Sequence, residues 1–307
     1  MAERECIVCG QRPPFAPLFA RDGFTLVRCP SCRLVFLDPQ PGADVLDRAY
    51  YHDEAFSQAL LGDLRAITLD RAREKLGHLG AAGLTPHGLR ILDVGASSGA
   101  WLEVARGADA AAVVGVELGA STAAAARDRG LDVRTGTLEQ VLPQLQDEAP
   151  FDLVTFWDVL EHLPDPRHEL RLARTLLRPG GHVAATFPNV EGLYPRLTHR
   201  LFARRTGVWE YPELPVHFYD FAPATARRLL TGTGYAVEAV RTFATPYDFY
   251  RETSLSPQRT GHGRRRRALR AAFDAVHRVA YPVARLTDRG NAQFVLGRTA
   301  AAPPPAA

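Results

Sequence analysis

Two pairs of cysteines stand first among the residues able to do chemistry. Cys6-x-x-Cys9 and Cys29-x-x-Cys32 are separated by 19 residues, and they are all the cysteine the chain has. Each pair can grip one side of a metal while the intervening chain loops round to close a tetrahedron. Soft thiolates at this spacing favour zinc, and four sulfurs leave no open coordination position, so the expected ion is structural. The competing readings are a redox Cys-x-x-Cys pair or four unpaired core thiols. Redox chemistry needs only one pair, in a strand–helix setting that this segment lacks.

A second group is a loop of small residues. Ile91–Leu102 reads ILDVGASSGAWL: an apolar strand carrying Asp93, a tight turn, then a helix beginning near Gly99. Small residues let the backbone approach a ligand, and the amides at the helix start face it. The next strand, VVGVEL, places Glu117 22 residues after Gly95, where a carboxylate can accept both hydroxyls of a ribose. The spacing is Gly95-x-x-x-Gly99 rather than G-x-G-x-x-G, and Asp93 precedes it. An acid there repels a pyrophosphate but suits a cationic, phosphate-free ligand with an ammonium group. The bland alternative is a strand–helix turn with no ligand.

The third group lies in FDLVTFWDVLEHLPDP, which sets Trp157, Asp158, Glu161 and His162 just beyond another apolar strand. In an open parallel sheet this position faces the crevice. His162 is the candidate general base, because an imidazole titrates near neutrality, with Asp158 and Glu161 orienting it. Alternatively, i, i+3, i+4 spacing puts Asp158, Glu161 and His162 on one helical face able to hold a divalent cation, or Glu161 and His162 simply brace the turn before Pro164. His217, in PELPVHFYDFAP, either reaches an acceptor together with Tyr211 and Tyr219 or fixes its own loop.

These groups need a scaffold that brings strand ends together. Strand candidates are Arg90–Val94, Ala112–Val116, Asp132–Thr135, Phe151–Phe156, His182–Phe187, Tyr235–Thr242 and Ala292–Leu296. Helical segments fill Gly99–Arg106, Ser121–Arg129, Arg167–Leu177 and Pro223–Thr231. The alternation predicts an α/β fold, a doubly wound, Rossmann-like, mostly parallel seven-stranded sheet, with a small N-terminal zinc-ribbon lobe. The expected divisions are a ribbon lobe over 1–41, a helical linker or lid over 42–88, the main domain over 89–298 with a basic amphipathic insertion at 262–288, and a disordered tail over 299–307. Leucines from Leu60 to Leu79 keep helical spacing in the linker.

The motifs ILDVGASSG, VVGVEL, FDLVTFWDVLEHLPDP, LLRPGGHVAATFPN and HFYDFAPATARRLL resemble the class I S-adenosylmethionine-dependent methyltransferases, in the ubiquinone-methyltransferase-like branch. The resemblance covers about Leu89 to Thr242. It implies that Asp93, Gly95, Ala96, Ser97 and Gly99 hold the methionine part of S-adenosylmethionine and that Glu117 holds the ribose. Leu118, Thr137 and Trp157 fall on the cofactor side as well. Ser97 stands where the family's loop usually has its middle glycine, and Thr137 where it often has an acidic adenine contact. Ubiquinone-pathway O-methyltransferases resemble the carboxylate–histidine segment with an E-x-x-E-H pattern. The ribbon followed by RLVFLDPQPGADVLDRAYYHDEAF resembles an N-terminus fused to sugar and natural-product methyltransferases. The implied acceptor is a small molecule or a glycosyl group.

Composition narrows the classes. The chain has 307 residues, is 46% hydrophobic and carries a formal net charge of +3. It can bury a core, and it is too balanced for a general polyanion binder. Charges occupy the start where a secretory signal needs an apolar run, and no apolar stretch approaches about 18 residues. The expected location is cytoplasmic, peripheral at the inner membrane surface if the acceptor is lipid-borne. Arg264–Arg267, followed by Arg270, Arg278 and Arg285, sit on an amphipathic stretch that Pro282 should kink or end. That stretch suits either a solvated surface helix or weak contact with anionic lipid. Nucleic acid is the weaker choice, because WDVL replaces the N-P-P-Y type motif of many base-amino methyltransferases. The alternatives are a zinc-ribbon RNA methyltransferase and a non-catalytic cofactor-binding scaffold.

Overall fold

The structure, a computed structural model, describes residues 4–42, 65–209, 211–245 and 264–300. The expected helical leucines Leu60, Leu61 and Leu64 and tail residues 301–307 lie outside them. In chain order the elements are β1 (Ala16–Arg21), β2 (Phe24–Arg28), β3 (Val35–Leu37), α1 (Arg65–Ala81), β4 (Arg90–Val94), α2 (Ala100–Gly107), β5 (Ala112–Glu117), α3 (Ala120–Arg127), β6 (Asp132–Thr135), α4 (Leu138–Glu148), β7 (Phe151–Trp157), α5 (Pro166–Leu176), β8 (Leu177–Pro188), α6 (Leu193–Thr198), β9 (Tyr219–Asp220), α7 (Pro223–Thr231), β10 (Tyr235–Phe243), α8 (Arg264–Leu286) and β11 (Ala292–Thr299). Two compact units form: Met1–Val45 with Phe187–Ala226 and Arg241–Gln293, and Leu46–Thr186 with Arg227–Val240 and Phe294–Ala307. No helix among the described residues is long and apolar enough to cross a membrane.

The first unit holds a four-stranded sheet ordered β1-β2-β3-β9. β1 and β2 pair antiparallel through the two-residue turn Asp22-Gly23, both residues left-handed at φ 53° and 82°. An Asp-Gly pair is the sequence that such a tight hairpin demands. The fourth strand is distant in sequence: Val35 pairs with Asp220 and Phe36 with Tyr219. The ribbon is therefore not closed within residues 1–41. Arg4 joins in, its guanidinium lying 5.0 Å from the Phe36 ring centre and 5.2 Å from that of Tyr219. α8, which the sequence assigned to the main domain, also belongs to this unit and packs on α6 through Phe273, Ala280 and Tyr194. Pro282 does not end the helix, which runs on to Leu286.

The second unit carries the seven-stranded sheet, ordered β10-β11-β8-β7-β4-β5-β6. β4, β5, β6, β7 and β8 pair in parallel, so their carboxyl ends share one edge. Ile91, Leu92, Leu153, Val154 and Phe156 are fully buried, as strands covered on both faces require. α4 went unread in the sequence because Pro143 interrupts its pattern, yet Thr137 and Gln140 form a capping box at its start. β11 runs on through Thr299, where the sequence placed the beginning of a disordered tail. α1 packs on α2, and Glu103 accepts hydrogen bonds from Arg65 at 2.8 Å and Arg129 at 3.0 Å.

One glycine of the first unit is sterically required. A Cβ on Gly290 would lie 2.0 Å from the Phe243 carbonyl oxygen and 2.4 Å from its nitrogen, both backbone atoms. Gly290→Ala is expected to destabilise the protein by roughly 1–3 kcal/mol, read as a lowered midpoint in denaturant. An unchanged midpoint would mean that this backbone approach is not made in solution.

Candidate functional site

The carboxyl edge of the parallel strands gathers the loop residues singled out in the sequence. Asp93 is 2% exposed and accepts a hydrogen bond from the Thr155 hydroxyl at 2.6 Å, across the β4–β7 pair. Burial pushes its carboxyl up to about 7, partly opposed by that hydrogen bond and by Lys75. Beyond it the chain turns sharply. The amides of Gly95 and Ala96 both donate to the Val116 carbonyl, at 2.8 and 2.9 Å. Gly95 has φ 79°, and a Cβ there would meet Val159 at 2.4 Å. Gly99, at φ 80°, would likewise strike Leu131 at 2.3 Å. Both positions need glycine for conformation and for space.

Glu117 ends β5 and is 8% exposed. One carboxylate oxygen accepts the Ser97 amide and the other the Gly119 amide, each at 2.7 Å. Burial raises its pKa while these amides lower it. A carboxylate has about four lone-pair sites, so two amides leave acceptor capacity for ligand hydroxyls. Leu118, next in sequence, is 44% exposed. The Thr137 hydroxyl caps α4 by accepting the Gln140 amide at 3.2 Å.

β7 ends in Trp157, buried edge-to-face against Trp101 with ring centres 5.1 Å apart. The indole nitrogens of both have no hydrogen-bond partner among the described residues. Asp158 follows in the left-handed region at φ 59°. It accepts the Thr186 hydroxyl at 3.0 Å, and its other oxygen lies 3.8 Å from the Lys75 ammonium. This corrects the expected helical face. Asp158 lies outside the 3-10 turn Leu160–His162 and its backbone is not helical, so Asp158, Glu161 and His162 do not share an i, i+3, i+4 helical face, while Glu161 and His162 keep ligand atoms within 4.8 Å of one another. Glu161 is buried, and His162 is half-buried.

Lys75 is the residue that the sequence reading missed. It projects from α1, with its side chain 19% exposed and its ammonium 5.5 Å from the Trp157 ring centre. Burial lowers its pKa, opposed by Asp158, Asp93 and Glu161. Apolar periodicity cannot flag such a residue. Composition could have done so, because Lys75 is the chain's one lysine among 37 basic residues. The edge thus collects Asp93, Glu117, Asp158 and Glu161 against a single ammonium, a field suited to a cationic ligand that also bears hydroxyls and one carboxylate.

In the first unit, the two cysteine knuckles repeat one hydrogen-bond pattern. The Gly10 and Arg33 amides return to the Cys6 and Cys29 carbonyls, while the Cys6 and Cys29 amides donate to Gln11 and Leu34. Gly10 and Arg33 are both left-handed, at φ 73° and 69°. The Cys6–Cys32 sulfurs are 3.4 Å apart and the Cys9–Cys29 sulfurs 3.6 Å, with all four within 4.8 Å. A tetrahedron with Zn–S bonds of about 2.3 Å has edges of about 3.8 Å, so the donor set fits zinc. Burial pushes the Cys6 thiol up to about 11, the cost that a metal's charge would offset. His217 is 5% exposed, with Nε2 3.7 Å from Glu213. Tyr219 is not presented for stacking on an acceptor, since it is 1% exposed and lies between Arg4 and Phe221.

A family model described as a methyltransferase domain matches residues 64–240. The ubiquinone biosynthesis O-methyltransferase of Maricaulis maris is 37% identical over 166 residues, covering 47% of this chain and 62% of that protein. The protein of the same name from Cronobacter sakazakii is 33% identical over 113 residues, covering 36% and 46%. This chain therefore spans between 46% and 62% of the length of these relatives. Among solved structures, a SAM-dependent methyltransferase from Archaeoglobus fulgidus aligns with a TM-score of 0.52 at 17% identity, over 80% of this chain and all of that one. Magnesium protoporphyrin IX methyltransferase from Synechocystis PCC 6803 with bound SAH gives 0.53 at 14% identity, over 84% of this chain and 100% of that one. These structural likenesses concern the fold.

Ser97 supplies a check on the loop. It holds φ 47°, a left-handed conformation that costs a side-chain-bearing residue about 1–2 kcal/mol. Ser97→Gly should leave the melting temperature level or higher. Ser97→Val should lower it, because a branched Cβ tolerates this region least. A valine variant as stable as the wild type would show that the loop adopts another backbone.

Proposed function

Because this chain belongs to the methyltransferase-domain family of class I S-adenosylmethionine-dependent enzymes, we propose that it transfers a methyl group from S-adenosylmethionine to a small-molecule acceptor. The observation that carries this reading is Glu117, buried at the end of β5, with two amides fixing its carboxylate and capacity left for hydroxyls. The cofactor supplies a methyl group already activated on a sulfonium, which leaves the protein to bind, orient, exclude water and remove a proton. Glu117 would accept the ribose hydroxyls, and Leu118 would cover the adenine with its exposed side chain. Asp93, Gly95, Ala96, Ser97 and Gly99 would take the amino-acid end. Lys75 would meet its carboxylate, and Thr137 and Trp157 would close the cofactor side. His162 is the proposed base for an acceptor hydroxyl or carbon acid, with Asp158 and Glu161 holding the local field. His217 is a second proposed base or acceptor contact.

The finer reading of the acceptor is a sugar, polysaccharide or natural-product molecule. Support comes from the names of the O-methyltransferase relatives and from the ribbon arrangement seen in the sequence. An encounter with an anionic membrane surface belongs to the same reading for an acceptor carried on a lipid. Zinc at Cys6, Cys9, Cys29 and Cys32 is proposed as a structural ion of the first unit, supported by the matched knuckles and sulfur spacing.

Calorimetric titration with S-adenosylhomocysteine tests the cofactor assignment. Asp93→Asn, Glu117→Gln and Lys75→Met each remove a charge-assisted contact worth roughly 1.5–3 kcal/mol, so each should weaken binding by about tenfold or more. Unaltered affinity in all three would reject the cleft. A separate measurement addresses the ion: metal analysis should find a single zinc, and Cys29→Ser should release it and lower the melting temperature while keeping S-adenosylhomocysteine affinity. A metal-free wild type contradicts the zinc assignment.

A further inference from the structure

α6, the turns that follow it and α8 form one packed group in the first unit, through Tyr194, Phe273 and Ala280 with Leu197, Phe202 and Leu269 around them. Residues 193–209 and 264–289 together carry twelve arginines and two aspartates, a net +10, which leaves the remainder of a chain of net +3 at −7. Arg196, Arg200, Arg204, Arg205, Arg278, Arg285 and Arg289 are exposed. Of the two acids, Asp288 is engaged by the Thr242 amide and hydroxyl at 3.1 and 2.8 Å, and Asp274 is half-buried.

The same elements hold most of the misplaced apolar surface. Five large hydrophobic side chains are exposed among the described residues, and four lie here: Leu201, Val279, Val283 and Leu286. Leu118, the fifth, belongs to the cofactor cleft. On α8 the two faces separate cleanly. Phe273, His277, Ala280 and Ala284 recur at spacings of four, three and four and are buried. Val279, Val283 and Leu286 recur at four and three, with 69%, 46% and 87% of their surface exposed. Arg278 and Arg285 sit one residue before Val279 and Leu286, flanking that stripe. Phe273 thus packs inward, as a surface helix would have it, but Val283 does not.

We propose that this basic helical surface docks the protein on an anionic lipid bilayer. It deepens the membrane encounter in the reading above by naming the surface, and it does not depend on the cofactor assignment. The arginines match phosphate-bearing headgroups, and the aliphatic stripe gains by entering the acyl boundary. The phosphates of a nucleic acid satisfy only the first of these features. They offer nothing to Val279, Val283 and Leu286, so lipid is the occupant that accounts for both.

The test is co-sedimentation of the full chain with phosphatidylglycerol or phosphatidylcholine vesicles. At low ionic strength binding should be at least about tenfold stronger to the anionic vesicles, and it should fall as salt rises. Arg278→Ser with Arg285→Ser, and separately Val283→Ser with Leu286→Ser, should each weaken the anionic binding by about tenfold. S-adenosylhomocysteine affinity should be unchanged in both, which separates this test from that of the cofactor cleft. Should a double variant fold poorly, the wild-type lipid preference and its salt dependence still decide. Equal binding to the two vesicle types overturns the proposal, and so does insensitivity to both double variants. Tighter binding to a mixed-sequence single-stranded RNA than to anionic vesicles, indifferent to Val283 and Leu286, overturns it in favour of nucleic acid.

Discussion

A carboxylate almost out of water must be met by donors, and Glu117 meets that requirement with two backbone amides. Because one amide belongs to Ser97 and the other to Gly119, a single side chain ties the loop after β4 to the start of α3. The left-handed residues Gly95, Ser97 and Gly99 give the loop the turns that bring the Ser97 amide to Glu117. The rest of the cleft follows from this arrangement. With the loop fixed, Thr155 donates to Asp93 behind it, and α2 begins after Gly99 with no side-chain cap on its first amides.

Charge is the second constraint. Asp93, Asp158 and Glu161 all raise the proton affinity of Lys75, while burial lowers it. Lysine suits this place better than the arginine used everywhere else in the chain. Its ammonium is a compact point charge on a flexible stem that can approach both Asp158 and the face of Trp157, whereas a planar guanidinium asks for a wider slot. An ammonium enclosed this far is also able to exchange one carboxylate partner for another with a small movement.

Much of this was legible in the sequence, for reasons that can be named. The parallel strands announced themselves because both faces are covered, which makes runs such as Ile91–Val94 and Leu153–Phe156 apolar apart from one polar residue each, Asp93 and Thr155. Asp93, Gly95, Gly99 and Glu117 were legible because strand ends, turns and acids are tied together by spacing. Asp158 was misread, since one left-handed residue is enough to break a helical face that spacing alone suggests. α4 was hidden by Pro143, although the Thr137–Gln140 cap was in plain sight. The closure of the ribbon sheet by β9 was beyond any local pattern: Tyr219 and Asp220 are almost two hundred residues from β3, and only pairing in three dimensions joins them.

The use of arginine for nearly every cation has a practical side. Reagents that acylate or cross-link ε-amines ignore guanidinium groups, so on this chain they address one side chain, that of Lys75. That amine stands between the Asp93 loop and Trp157, in a place where its reactivity depends on what shields it and which carboxylates stay charged. A mass shift mapped to Lys75 after mild acylation, read apart from that of the α-amine, would therefore act as a gauge of how far this ammonium is shielded, with no engineered label and no competing signal from other lysines.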